Sequence, residues 1–99
     1  MSASSVATRL VVIKNPQGLH ARPAALFVRT ANRFQSRVVV SKGRQKASGK
    51  SIMEILTLAA NAGAKVRIEA TGDDAEEAVK VLGDLLDADA EAEVGEGAQ

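Results

Sequence analysis

The segment Lys65-Val66-Arg67-Ile68-Glu69-Ala70 alternates charged and apolar side chains without a fault. Successive side chains on a strand point to opposite faces, so this pattern predicts a strand with one face on a core and the other in water. The other strand-like runs are equally short. Thr8-Arg9-Leu10-Val11-Val12-Ile13-Lys14 is rich in β-branched residues and ends at the turn cluster Asn15-Pro16-Gln17-Gly18. Arg37 to Lys42 reads as a second strand, and Gly43 turns the chain into a short, polar third one, Arg44 to Ala47.

Between these runs the period changes to that of a helix. From Ala21 to about Arg33, Ala24, Phe27, Val28 and Ala31 follow the i, i+3, i+4, i+7 spacing of a buried face. Arg22, Leu26, Arg29 and Arg33 fall on the opposite face, so Leu26 is a leucine among arginines. Ser51-Ile52-Met53-Glu54 has the form of a capping box, with the serine hydroxyl and Glu54 each satisfying a first-turn amide. The helix it opens, to about Ala60, carries Ile52, Met53, Ile55, Leu56 and Leu58 nearly all round. A small domain cannot bury them all, so part of this helix is expected to be an exposed apolar patch. Asp73-Asp74-Ala75-Glu76 starts the cleanest amphipathic helix, with Ala75, Ala78, Val79, Leu82, Leu85 and Leu86 on one stripe. After Leu86 the chain is acidic and lacks a buried stripe, as expected of a frayed extension or a disordered tail. The order is β-α-β-β-α-β-α, an α+β arrangement with the helices stacked on one side of an antiparallel sheet.

Ninety-nine residues support one domain, assigned to 1–99 with a core at about 6–86 and an acidic extension at 87–99. With no cysteine, disulfides and thiolate chemistry are excluded; with one histidine and no ligand cluster, no metal or other cofactor is expected. Two phenylalanines and no tyrosine or tryptophan argue against a base-stacking nucleic-acid platform. The polar start, Met1-Ser2-Ala3-Ser4-Ser5, does not resemble a signal peptide. No apolar run approaches the roughly 20 residues needed to span a bilayer, so a soluble cytoplasmic protein without membrane insertion is expected. The net charge of +1 conceals a division. Residues 1–70 carry twelve Lys/Arg against Glu54 and Glu69, whereas residues 71–99 carry ten Asp/Glu against Lys80. Two readings are open: a basic body neutralised by its own acidic end, or a basic face that steers acidic partners.

The residues that carry chemistry are Gly18-Leu19-His20-Ala21-Arg22-Pro23. A histidine at the N-cap lies beside the amides of the first helical turn. That positive end and Arg22 make the surroundings of the ring a place for negative charge. The same features suit a phosphoryl group on the ring, because amides of Ala21 and Arg22 can donate to its oxygens and Arg22 adds charge-assisted hydrogen bonds. Pro23 costs little in a first turn and stiffens the junction. In most proteins a lone histidine here is only a surface or capping residue. The His-x-Arg-Pro pattern favours anion chemistry without deciding it.

Asn15-Pro16-Gln17-Gly18-Leu19-His20-Ala21-Arg22-Pro23-Ala24-Ala25 resembles the active-site signature of the HPr family, histidine-containing phosphocarriers of the phosphoenolpyruvate-dependent sugar phosphotransferase system. Gly49-Lys50-Ser51-Ile52-Met53 resembles the family's second signature, around a regulatory serine, and Gly72 to Ala78 the start of its last helix. The resemblance implies an open-faced β-sandwich, a four-stranded antiparallel sheet with three helices on one face. It implies that His20 accepts a phosphoryl group on Nδ1 from phosphorylated enzyme I and gives it to the A domain of a sugar permease, with Arg22 steadying the group. Such a chain is a carrier rather than a stand-alone turnover enzyme. The implied docking surface is Ala21, Leu26, Ile52, Met53 and Leu56. Ser51 is a helix cap on its own sequence. The resemblance adds an HPr kinase/phosphorylase that would modify it, and a transcriptional regulator as a further partner.

Ser48-Gly49, the acidic extension and the N-terminal residues depart from the commoner family pattern. A nitrogen-type or purely regulatory paralogue with the same phosphohistidine is the first alternative. A small nucleic-acid-binding module is a second, disfavoured by the missing aromatics. A hydrolase is a third, but no second acid or base lies near His20 in sequence. A monomer is expected.

Overall fold

Alternating strands need a layer to cover their apolar side, and three helices supply it. The computed structural model describes the backbone of residues 5–97 and the side chains of residues 5–88. The elements are β1 (Ser5–Val12), α1 (Ala21–Ala31), β2 (Arg37–Lys42), β3 (Gln45–Ser48), α2 (Ile52–Thr57), β4 (Lys65–Gly72) and α3 (Ala75–Gly97). The strands form one antiparallel sheet in the order β1-β4-β2-β3. This is the expected α+β fold, with element order and helix layer as read from the sequence.

The core lies between sheet and helices. Val66, Ile68 and Ala70 of β4 are buried against Val38 and Val40 of β2, Val11 of β1, and Ala24, Phe27, Val28 and Ala31 of α1. Phe27 is only 1% exposed, so truncating it to alanine would cost about 3–5 kcal/mol. Of the stripe predicted for α3, Ala75, Ala78, Val79, Leu82 and Leu86 are buried, and Leu85 is partly buried against the same cluster.

Several boundaries differ from expectation, each for a physical reason. β1 starts at Ser5 and ends at Val12 because β4 pairs with it over that whole length, from Ser5 opposite Gly72 to Val12 opposite Lys65. α1 ends at Ala31, with Asn32 as its C-cap. α2 stops at Thr57 rather than near Ala60, because Ala59 takes φ +51°, a left-handed conformation that no α-helix continues through. The backbone of α3 stays helical to Gly97, past the expected end near Leu86. The polar start at 1–4 and the last two residues lie outside the described residues, as do the side chains of the acidic extension beyond Ala88.

Three carboxylates hold α3 in place. Asp74, just before it, accepts hydrogen bonds from the amides of Gln35 and Ser36, both at 2.9 Å, and from the Ser36 hydroxyl. The Ser36 hydroxyl above all, then the Gln35 amide, holds its carboxyl below the usual value of 3.8. Arg9 of β1 points inward across Gly83, where an added Cβ would come within 2.5 Å of the arginine side chain. Its guanidinium donates to Asp84 at 2.9 Å, to Asp87 at 2.8 Å and to the Lys80 carbonyl at 3.2 Å. Arg9, with a smaller contribution from Lys80, keeps the Asp84 carboxyl below its usual range.

Candidate functional site

His20 is the N-cap residue of α1, with extended φ −102° and ψ −168°, and its side chain makes no capping hydrogen bond. The side chain is half-buried, with Nε2 sealed from solvent and without a hydrogen-bond partner among the described residues. Ala24 N–H donates to the His20 carbonyl at 3.0 Å, the first main-chain bond of the helix. The amides of Ala21 and Arg22 precede that bond, and Pro23 has none to offer. Ala21 and Arg22 are exposed beside the ring, whereas Pro23 is buried. The helix start therefore presents its positive end next to a half-exposed imidazole.

A braced turn sets the ring there. Asn15 is 1% exposed, and its Oδ1 accepts from the Gln17 amide at 2.9 Å, closing an Asx turn. Gly18 N–H donates to the Asn15 carbonyl at 2.8 Å, and Leu19 N–H to the Ala60 carbonyl at 2.8 Å. Gly18 adopts φ +75°, and a Cβ on it would lie 2.7 Å from the Ala60 oxygen. Only glycine combines that dihedral with that approach. The segment after α2 thus supports the loop that carries His20. The sequence marks Gly18 as a place where the backbone can approach closely or take φ > 0, and both occur, whereas it marks Asn15 only as a turn residue. The Asx-turn chemistry of Asn15 was a usable signal, but its burial and the contact with Ala60 were not.

Ser51 is the N-cap of α2, and its hydroxyl accepts from the Glu54 amide at 3.2 Å. The other half of the expected capping box is different. The Glu54 carboxylate accepts from the Ser48 amide at 2.8 Å, because Ser51 N–H already donates to the Ser48 carbonyl. Ser51 and Ala60 lie beyond opposite ends of α2, so the helix separates the serine from the brace of the His20 loop.

α1 and α2 pack together. Leu26 is 47% exposed on one, and Ile52 and Met53 are 39% and 73% exposed on the other. Leu56 is half-buried against the core, while Ile55 and Leu58 are fully buried. Among the described residues no group of three or more His, Cys, Asp or Glu could hold a metal ion, and no helix is long and apolar enough to cross a membrane.

The family model for the PTS HPr component phosphorylation site matches residues 7–88, a span that holds His20, Ser51 and all of the sheet but the first two residues of β1. The chain belongs to the HPr family. It is 42% identical over 76 residues to phosphocarrier protein HPr of Neisseria meningitidis, an alignment that covers 77% of this chain and 85% of that one. It is 40% identical over 90 residues to a multiphosphoryl transfer protein of Salmonella typhimurium, covering 88% of this chain but only 23% of the relative. The chain thus spans about a quarter of the length of that larger relative. The crystal structure of HPr-C-His from Thermoanaerobacter tengcongensis superposes with a TM-score of 0.81 at 48% identity, covering 85% of this chain and 94% of that one. Four antiparallel strands under three helices are the HPr fold, and a phosphocarrier role follows at family level.

Proposed function

We propose that His20 takes a phosphoryl group on Nδ1 from phosphorylated enzyme I and passes it to the A domain of a sugar permease in the cytoplasm. The observation that carries this reading is the uncapped start of α1, where a half-buried imidazole with Nε2 sealed from solvent stands beside the positive helix end, which favours Nδ1 as the nitrogen that takes phosphorus. The Nδ1 lone pair forms the new P–N bond as the bond from phosphorus to the donor breaks and its electron pair stays with the donor, and the reverse exchange unloads the group. Charge on the phosphoryl oxygens is met by the amides of Ala21 and Arg22 and by the Arg22 guanidinium. Positioning and electrostatics account for most of phosphoryl-transfer catalysis, and these groups supply both.

Ala21, Leu26, Ile52, Met53 and Leu56 form the docking surface in this reading, with the arginines of α1 steering acidic partners towards it. Ser51 caps α2 and is also the site for a serine kinase. A phosphate there would add about −1.5 to −2 charge beside the apolar patch and weaken docking of acidic partners. The chain acts as a single domain, with the acidic extension as an accessory.

Incubation with enzyme I and phosphoenolpyruvate should add one acid-labile, base-stable phosphate, and His20→Ala should add none. Equal labelling of the two proteins would refute the assignment. A chain that is charged but never donates to permease A domains would instead serve a regulatory relay.

A further inference from the structure

Four exposed cations gather on the open face of the sheet, the side that phosphoryl relay does not use. The face turned away from the helices is formed by the outward residues of all four strands. On β1 these include Val6, Leu10 and Val12, which are 61%, 66% and 41% exposed. They account for half of the six large apolar side chains exposed among the described residues; the other three, Leu26, Ile52 and Met53, lie on α1 and α2. Cations stand beside them in register. Arg67 is opposite Leu10, Lys65 is opposite Val12, and Thr71, opposite Val6, is followed across the sheet by Arg37. Ser41, beside Arg67, leads on to Lys46. Arg37, Lys46, Lys65 and Arg67 are exposed, and none forms an ion pair among the described residues. Glu69 is the one acid among the outward strand residues, and it is half-buried. The exposed acids Glu76, Glu77 and Asp84 lie on α3, in the helix layer across the sheet.

We propose that this open face is a peripheral docking surface for anionic lipid headgroups, with the β1 aliphatic row at the headgroup–acyl boundary and the cations on the phosphates. Charge complementarity selects an anionic occupant, and the acids of α3 favour this approach, since that helix lies across the sheet from the surface. The apolar row adds what a purely electrostatic contact would not need, an edge that gains by leaving water. A protein partner would call for a recess that holds an anchor side chain at the centre of the interface. The groove of about 580 Å³ on this face is open and is bordered by Arg37 and Lys46, together with Glu54 and Glu69. Contact of this kind is peripheral and needs no spanning segment.

The test is flotation with vesicles of phosphatidylglycerol and phosphatidylcholine in equal parts, against vesicles of phosphatidylcholine alone. Flotation also avoids the need for a tryptophan signal, which this chain lacks. The protein should rise with the anionic vesicles at low ionic strength, only weakly near 0.15 M salt, and not with the neutral ones. A Lys65→Gln, Arg67→Gln double variant should partition about 25-fold more weakly, at roughly five-fold per cation. Leu10→Ser should remove binding that survives added salt. All these proteins should keep the parent's melting temperature and accept phosphate from enzyme I in solution at the parent's rate, which separates failure here from failure of the phosphocarrier reading. Absence of flotation at low salt, or flotation unchanged in both variants, would overturn the proposal. It would equally be overturned if the same substitutions abolished equally tight binding to polyuridylic acid, or a dimer seen by sedimentation.

Discussion

Two helices of this protein begin in opposite ways. At the start of α2, the Ser51 hydroxyl accepts from the Glu54 amide and the Glu54 carboxylate secures the Ser48 amide, so the turn satisfies its own donors. At the start of α1, the N-cap is a histidine whose side chain caps nothing. A serine or aspartate at that position would be the more stable choice, by about 1 kcal/mol. The protein forgoes that stabilisation and keeps a positively polarised helix end for an anion to use. The capped start is built for folding and the uncapped one for chemistry, and substitutions should separate the two.

The largest expected effect is at the uncapped start. His20→Ala should abolish phosphoryl acceptance yet shift stability by less than about 0.5 kcal/mol in a denaturant titration, because no capping bond is lost. A large loss of stability would show that the ring is a structural element after all. Arg22→Ala should fold normally and slow transfer by about ten-fold, the worth of one or two charge-assisted hydrogen bonds at the phosphoryl oxygens; unchanged transfer kinetics would remove Arg22 from the site. Gly18→Ala forces a Cβ to within 2.7 Å of the Ala60 carbonyl at φ +75°. It should cost about 1–3 kcal/mol and also reduce the transfer rate, since the loop that aims His20 must move. Stability loss with a normal rate would mean that the brace serves the fold alone.

At the capped start the pattern should reverse. Ser51→Ala should lower stability by about 1 kcal/mol and leave the rate of acceptance from enzyme I unchanged. The smallest effect concerns the carboxylate that precedes α3. Because the folded-state pKa of Asp74 lies below its ordinary value, its contribution is complete above the unfolded value and fades as pH falls through the folded one. Asp74→Asn should therefore lower stability at neutral and alkaline pH, where the contribution is complete, and flatten the acid limb of the stability profile below about pH 4. An acid limb as steep as the parent's would show that other carboxylates set it.

Much of this contrast was legible in the sequence. Strand alternation in Lys65–Ala70, the buried stripes of α1 and α3, and the β2 boundaries at Arg37 and Lys42 are local patterns, and the sheet and helix layer obey them. Ser51-Ile52-Met53-Glu54 announced a cap, and half of it forms as written. The other half fails because β3 ends next to α2 and offers Glu54 the Ser48 amide, a neighbour that no local pattern contains. The stop at Thr57 was equally invisible, since Leu58-Ala59-Ala60 contains no helix breaker and the left-handed Ala59 belongs to the segment that meets the His20 loop.

Local pattern is enough to set the order of elements, the faces they bury, and the histidine at a helix start with an arginine two residues on. These follow from period and turn chemistry, which act over a few residues and leave their mark there. The tertiary structure decided which ring nitrogen of His20 is sealed, that Ala60 braces its loop, that Arg9 reaches across 75 positions to Asp84, and that cations and aliphatic residues share the sheet's open face. Such facts depend on strand order and on contacts between distant segments, and they come into being only when the chain closes on its core.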